Sequence, residues 1–475
     1  MITNQTSAIG WSDLLSGKNG LRSIALAGGV MLHATDVYLA TTIMPSITRD
    51  IGGLSFYSWA TTIYVVAAIM GSVFSSLHLS KRGPRLAYRI AALLFAAGSI
   101  VSATAPNMGL LLLGRFIQGL GGGLLFALSY AMIRIVFEEA LWPRAMALVS
   151  AMWGISAFSG PFVGGMFAQY GHWRIAFITL VVIAVSLLLI TENILPKKTS
   201  ESSDQQKVPF TQLLLLTLAT LAISAGSITD LLAVNIGSMS LAIVLFLCLL
   251  KMEATSGNRL LPTGAYQLSN PLGATYTVIA LLTIATAVEI YIPYFMQIVH
   301  GFSPLKSGYL TVIIALGWSF SSVFFSGVSK EKAKLLMNSG PLSVLAGLIG
   351  FAVLTPLSQS SSGLFYYLMC LCLFLIGIGV GMGWPHLLTQ VLTSSAKGEE
   401  ERASASITTV QLLATAVGTA LTGLVVNSAG IIKPGGIQGA EQSSVWLFSL
   451  FAVMPLCAWL IQLLKESLKN SNSGP

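Results

Sequence analysis

Three ionisable side chains stand inside long apolar runs: Asp36, Arg115 and Glu289. A charge at the centre of a bilayer costs at least about 2.5–3.5 kcal/mol on insertion scales, so such residues are functional candidates by default. Asp36 lies about 13 residues into the apolar run that begins after Arg22, or ~20 Å at ~1.5 Å per residue, which is near mid-membrane. His33 stands one turn before it. Arg115 lies between LLLG and FIQGLGGG, and Glu289 lies in ATAVEIYIPYFMQ, expected in the outer half of its run. Burial disfavours a charged carboxylate and a neighbouring guanidinium favours it. A site that combines the two can load and release a proton, alternating it with a cationic or polar substrate. The same residues fit plainer roles. Asp36 and Arg115 can form an ion pair that only positions helices. Glu289 can touch water near the outer interface, and His33 can be a packing histidine.

The elements that must hold these groups follow from composition. Of 475 residues, 54% are hydrophobic and 9% charged, against roughly 25% charged in an ordinary soluble domain. Mean hydropathy is +0.80. The chain reads as an all-α membrane protein, with about 20 apolar residues per span. Fourteen spans are predicted, near 23–47, 56–79, 86–106, 109–137, 145–169, 174–195, 210–229, 232–251, 272–298, 305–328, 335–356, 363–390, 403–428 and 443–464. The weakest are 210–229 and 232–251, joined by a very short connection around Asp230. Residues 1–22 form an N-terminal segment, 23–195 a six-helix bundle, 196–209 a polar linker and 210–251 an inserted pair. Residues 272–464 form a second six-helix bundle and 465–475 a tail. The Gly-rich stretch 429–442 is expected as an outer loop.

With the N-terminus in the cytoplasm, 20 of the 25 basic residues fall on the cytoplasmic side, as the positive-inside rule requires. Only Arg49, Arg115, Arg174, Lys306 and Lys433 remain. An even number of spans then leaves both termini cytoplasmic, in a multi-pass protein of the inner membrane. The net charge of +8 is spread between apolar runs, so it sets topology and does not form a nucleic-acid patch. Cys248, Cys370, Cys372 and Cys457 all lie in apolar runs and read as small core residues. No His/Cys metal cluster, nucleophile–base spacing or phosphate loop is visible, so neither an enzyme nor a cofactor is expected. With no sizeable soluble domain, a receptor has nothing to relay a signal. The first apolar run is long enough to be a retained helix and not a cleaved leader.

Small residues form a second signal. Ser156, Gly160, Gly164 and Ala168 recur every fourth position, a smooth stripe where another backbone can approach. Pro161 within it removes a helix hydrogen bond. Gly119, Gly122 and Gly123 do similar work beside Arg115.

These residues together resemble the major facilitator superfamily, particularly its fourteen-span drug:proton antiporters. Asp36 followed by Ala40-Thr41-Thr42-Ile43-Met44-Pro45 is similar to the D-x-T-I-V-x-x-A-x-P segment of that family. Asp50-Ile51-Gly52-Gly53, then Trp59 and Tyr64, follow in the same order. Gly114-Arg115-Phe116-Ile117-Gln118-Gly119 is similar to G-R-x-x-Q-G, whose arginine is implicated in proton coupling. Gly154 with Gly160-Pro161-Phe162-Val163-Gly164-Gly165 resembles the antiporter motif, associated with export. Trp173-Arg174 and Phe177 match the start of the sixth helix. Pro293, Gln297, Gly301, Ser303-Pro304 and Gly308, and Glu253 with Leu260-Leu261-Pro262, match the second half. The clear departure is the loop after the second helix, usually G-x-L-x-D-R-x-G-R-R. Here Ser76 and Ser80 replace its glycine and aspartate, followed by Arg82, Gly83 and Arg85. The clamp on the outward-facing state must then be weaker or built differently. Tyr38 also replaces a usual threonine.

The resemblance implies two six-helix bundles around a central cavity, plus the inserted pair. It implies proton-coupled export of small amphipathic or cationic compounds by alternating access. Asp36, Arg115 and Glu289 would couple protons, and Tyr38, Phe126, Tyr130, Tyr291 and Tyr294 would wall the cavity. The expected partners are protons, lipid and a small-molecule substrate, with the protein a monomer. A dedicated exporter of one metabolite (a siderophore, peptide or amino acid) is the alternative reading, and a proton-coupled importer a more distant one.

Overall fold

Long apolar runs without water to satisfy their backbone must become helices, and the computed structural model is helical throughout the residues it describes: 11–197, 210–228, 231–255, 259–357, 363–396 and 399–472. Outside them lie residues 1–10 of the N-terminal segment, the linker from 198 to 209, Asp230, and 473–475 of the tail. The first six spans are α1 (Gly17–Ile51), α2 (Leu54–Ser75), α3 (Arg82–Ala103), α4 (Met108–Ala131), α5 (Glu139–Gln169) and α6 (Trp173–Ile194). The inserted pair is α7 (Phe210–Gly226) and α8 (Leu232–Thr255). The last six are α9 (Pro271–Ile298), α10 (Pro304–Phe325), α11 (Lys330–Leu354), α12 (Gly363–Ser394), α13 (Glu400–Ser428) and α14 (Gly436–Lys465). Thirteen of these described helices are long and apolar enough to cross a membrane, and α7, at 17 residues, is shorter. Seventeen residues still reach ~26 Å, the lower limit for a span. The chain is a multi-pass membrane protein. Its two faces are called here the near side, where α1 starts, and the far side, where α1 ends.

Several boundaries differ from expectation, each for a local reason. Helix α1 begins at Gly17 and not at residue 23, because the polar lead-in packs on the bundle. Arg22 Nη1 donates to the Val136 carbonyl at 2.8 Å. Spans α2 and α3 form one run of helix, Trp59–Ala103, interrupted only where Gly83 takes φ 77°, ψ 166°. A side chain would resist that backbone, so the glycine makes the corner. Span α9 is not one continuous helix. It runs as α-helix to Thr286, tightens to a 3₁₀ turn over Ala287–Tyr291, and resumes at Ile292–Ile298. Pro293 has no N–H for the carbonyl of Glu289 four residues earlier, and its ring crowds that carbonyl. The expected outer loop 429–442 shortens to 429–435, because a helix starts at Gly436.

Helix starts carry their own signals. Ser303 accepts from the Lys306 N–H with Pro304 behind it, and Asn107 accepts from the Leu110 N–H at 3.0 Å, each covering an N–H the helix leaves unpaired. Glu253, 1% exposed, accepts from the N–H groups of Leu260 and Leu261 and from the Tyr266 hydroxyl. It thereby ties the end of α8 to the segment that leads into α9. Cys372 is buried as expected, but Cys248 is exposed, since α8 sits on the periphery.

In the first set, α1 packs on α4, α5 and α6, and α2 and α3 pack on α4. In the second, α9 packs on α13 and α14, and α12 on α10 and α11. The sets meet along two seams, α5 with α10 and α2 with α13, and α7 packs beside the second seam. Hydrogen bonds from three side chains tie the described residues of the two sets on the far side. Tyr57 Oη donates to the Ile290 carbonyl at 3.1 Å, Thr62 Oγ1 to Thr419 Oγ1 at 3.0 Å, and Asn427 Nδ2 to the Ser55 carbonyl at 2.8 Å. Helix α7 joins both sets there as well. Its Ser224 carbonyl accepts from Trp59 Nε1 at 3.0 Å, and the Ser227 carbonyl just beyond its end accepts from Asn427 Nδ2 at 2.7 Å.

Candidate functional site

Close packing of α4 on its neighbours positions the central arginine. A Cβ built on Gly119 would collide with the Tyr64 carbonyl of α2, and one on Gly123 with the backbone of Ala68. The GLGGG run therefore lets α2 and α4 touch backbone to backbone. That contact brings the Tyr64 ring to 4.3 Å from the Arg115 guanidinium, within range of a cation–π interaction.

Asp36 and Arg115 meet inside the first bundle, 0% and 1% exposed. Arg115 Nη1 donates to Asp36 Oδ1 and Oδ2, each at 2.8 Å, and to Gln118 Oε1 at 2.7 Å. Arg115 Nε donates to the Ala60 carbonyl at 3.3 Å, and Gln118 Nε2 donates to Asp36 Oδ1 and to Ser99 Oγ, both at 2.9 Å. Four helices, α1 to α4, thus share one polar knot. A buried ion pair holds its ground only when further hydrogen bonds satisfy both partners, and Gln118 and Ala60 supply them.

Glu289 sits elsewhere, on the 3₁₀ turn of α9, half-buried. Among the described residues it makes no hydrogen bond or ion pair. Tyr38, half-buried on α1, lies within electrostatic reach of it. Asp36 and Glu289 are therefore separate groups on opposite bundles.

The five aromatic positions divide into two groups. Tyr291, 0% exposed, stacks on Tyr57 at 4.6 Å between ring centroids, and Tyr294 meets Tyr57 at 5.6 Å. These two belong to the far-side seam. Phe126 and Tyr130 are half-buried on α4, at 5.3 Å from each other, and Phe126 lies 6.1 Å from Trp153 of α5.

The α5 stripe faces two ways. A Cβ on Gly160 would stand 2.6 Å from Tyr38 Cβ, and one on Gly164 3.0 Å from the Leu39 carbonyl, so these glycines admit α1. Gly165 and Pro161 face α10. A Cβ on Gly165 would stand 2.7 Å from Leu305 Cα, and one on Gly308 of α10 3.2 Å from Pro161 Cβ. The α5–α10 seam is thus closed at the far side. Toward the near side it widens into an apolar groove of about 320 Å³, lined among others by Gly154, Phe158 and Leu316. Nothing lies within 4 Å of a Cβ on Gly154.

In the loop after α2, Arg85 Nε and Nη2 donate to the Leu195 carbonyl at 2.9 and 2.7 Å, and Arg89 pairs with Glu192. The near end of α3 is thereby tied to the near end of α6. Arg82 is exposed, and the side chain of Ser80 lies outside the described residues. On the far side Asp50 accepts from Trp173 Nε1 at 3.0 Å and from Arg174 Nη1 at 2.6 Å, which joins α1 to α6. Sequence reasoning matched Arg174 with Trp173 to the start of the sixth helix but gave it no partner, and did not single out Tyr57, Ser99 or the bridging role of Gln118. The last was legible, because three residues after Arg115 is the same helix face.

Residues 26–419 match the family model of the Major Facilitator Superfamily. A probable multidrug-efflux transporter of Mycobacterium tuberculosis is 34% identical over 458 residues, covering 94% of this chain and 95% of that protein. A multidrug efflux pump of Staphylococcus aureus is 26% identical over 351 residues, covering 72% and 77%. Among solved structures, a D-xylose–proton symporter superposes with a TM-score of 0.64 at 16% identity, covering 94% and 97%. A POT family transporter superposes with a TM-score of 0.68 at 14% identity, covering 95% and 98%. At those identities the likeness is one of fold.

Proposed function

The chain belongs to the Major Facilitator Superfamily, and we propose that it exports small amphipathic or cationic compounds from the cytoplasm in exchange for protons. The observation that carries the reading is the sealed Asp36–Arg115–Gln118 knot. A carboxylate with no access to solvent changes its proton only through rearrangement or a relay, which is what coupling to transport requires. The near side is then the cytoplasmic side of an inner membrane, with both termini there and the protein working as a monomer. The form described here, tied at the far side and widened at the near side, is the one that loads cargo. Its ionised Asp36 holds Arg115 and so braces α1 against α4. Protonation from the far side releases Arg115, and the bundles rock. Glu289, half-buried and without a protein partner among the described residues, receives the positive end of a cation, and Tyr38, Phe126 and Tyr130 face its apolar body. The names of the M. tuberculosis and S. aureus relatives support this cargo class.

The test is transport in proteoliposomes under an imposed pH gradient, with ethidium and tetraphenylphosphonium as probes. Uphill movement of both, lost in Asp36→Asn, is the expected result. Full proton-driven flux in Asp36→Asn would remove Asp36 as the coupling site. Movement of neither probe would favour an exporter dedicated to a single metabolite.

A further inference from the structure

The knot around Asp36 leaves a question of access. Asp36 is 0% exposed, as are Gln118 and Tyr64, and Arg115 is 1% exposed. A proton that leaves Asp36 for the near side must cross side chains. One polar connection does so. The Tyr64 hydroxyl lies within interaction reach of the Asp36 carboxylate and 2.8 Å from His33 Nδ1. His33 stands one turn nearer the near side than Asp36 and is 3% exposed. Its Nε2 has no hydrogen-bond partner among the described residues. Beyond the imidazole come rings that are half-buried. Phe126 lies at 5.2 Å and Trp153 at 5.9 Å, with Tyr130 behind Phe126.

Space for this contact is built into α4. A Cβ on Gly122 would stand 2.6 Å from the Tyr64 hydroxyl and 3.0 Å from His33 Nδ1. The glycine next to the α2–α4 packing positions thus makes room for a side-chain hydrogen bond as well as for a backbone. The groups that face His33 are few. From α2 comes the Tyr64 hydroxyl, and from α4 Arg115, within electrostatic reach, together with Phe126. From α5 comes the uncharged Trp153.

We propose that Tyr64 and His33 form the near-side proton relay of the Asp36 site, opening at the Phe126–Tyr130–Trp153 cluster. This deepens the export reading above and rests on it. In the release step the O–H bond of protonated Asp36 breaks and its proton bonds to Tyr64 Oη. The former Tyr64 proton bonds to His33 Nδ1, and the Nε2 proton of His33 passes to water at the aromatic cluster. Asp36 ends as a carboxylate free to recapture Arg115, and Tyr64 and His33 end neutral. The imidazole is left as its other tautomer, and a flip of the ring between turnovers restores the first. Tyr64 and His33 touch the reacting proton and not the cargo, so their loss slows net exchange with protons and spares cargo binding.

The experiment uses full-length protein in liposomes with ethidium as the probe, and compares two fluxes. One is uptake driven by a pH gradient. The other is ethidium–ethidium exchange, which moves no net proton. Tyr64→Phe removes one hydroxyl and keeps the ring over Arg115, and His33→Gln keeps a polar side chain. Each is expected to cut driven flux at least about tenfold, the lower part of the range for a positioned proton-transfer group, while exchange stays within about twofold. Parent-level driven flux in Tyr64→Phe, with flux lost in Asp36→Asn, would overturn the relay and leave the coupling site standing. Equal loss of both fluxes in Tyr64→Phe and His33→Gln would make the pair structural and also overturn it. Driven flux retained in Asp36→Asn would remove the coupling site and the relay together.

Discussion

The far-side seam makes a quantitative prediction about the balance between the two open forms. Tyr57 and Thr62 each send one side-chain hydrogen bond across it, to the Ile290 carbonyl and to Thr419 Oγ1. When the far side opens, these groups exchange their partners for water. Each bond then favours the closed seam by the net value of a protein hydrogen bond, about 0.5–1.5 kcal/mol. Tyr57→Phe keeps the ring stacked on Tyr291, and Thr62→Val keeps the branched shape. Thr419 Oγ1 still donates to the Ala416 carbonyl, so no donor is stranded there. The double variant should therefore shift the equilibrium toward the far-side-open form by about 2 kcal/mol, or roughly 30-fold. A form populated at about 1% would rise to about a quarter of molecules. Spin labels at Tyr170 and Leu357, which are 72% and 51% exposed at the far ends of α5 and α11, would report this. Cys248, Cys370, Cys372 and Cys457 must first be replaced. Growth of a long-distance population in the double variant, with each single variant intermediate, is expected. An unchanged distance distribution would refute the claim that these bonds hold the seam.

Three further outcomes follow from the geometry. Gly165→Val places a side chain against Leu305 Cα and should destabilise the closed seam by about 1–3 kcal/mol, whereas Gly154→Ala, with open space around it, should leave the same distance distribution unchanged. Arg115→Ala strands a buried carboxylate and should cost about 3–5 kcal/mol of unfolding free energy in detergent. The double variant with Asp36→Ala should recover part of that cost, and a denaturant double-mutant cycle measures the coupling. Glu289→Gln should weaken binding of tetraphenylphosphonium in equilibrium dialysis while leaving a neutral dye unaffected, and equal losses for both would remove Glu289 as the cation contact.

Much of this arrangement was legible in the sequence because a membrane makes each charged residue costly. Asp36 and Arg115 stood out on that ground alone, and the helical spacing of Gly160 and Gly164 announced a backbone approach. What spacing could not show is which helix each face meets. One stripe on α5 admits α1 through Gly160 and Gly164, while the neighbouring Pro161 and Gly165 admit α10. The break in α9 was encoded by Pro293, yet the apolar run around it reads as one span, because hydropathy carries no information about hydrogen bonding. Tyr57 was hidden for a related reason, and so was the contact of Tyr64, a residue matched only by its place in the motif. Their rings look like ordinary packing, and only the structure shows that one hydroxyl crosses a seam and the other reaches His33. The altered loop after α2 was visible as a missing aspartate, but the contacts of its arginines were not. Arg85 takes a backbone carbonyl at the end of α6, and backbone carbonyls leave no trace in composition.

The position of α7 makes the two seams unequal. Through Ser224 and Ser227 it holds a residue of each six-helix set at the far edge of one seam, while the opposite seam, between α5 and α10, has no third helix of this kind strapped across it among the described residues. Separation of the halves would have to break the bonds of α7 on one flank, and on the other the close packing of Gly165 on Leu305 and of Gly308 on Pro161. The extra pair of helices thus acts, through α7, as a binding along one edge of the two sets.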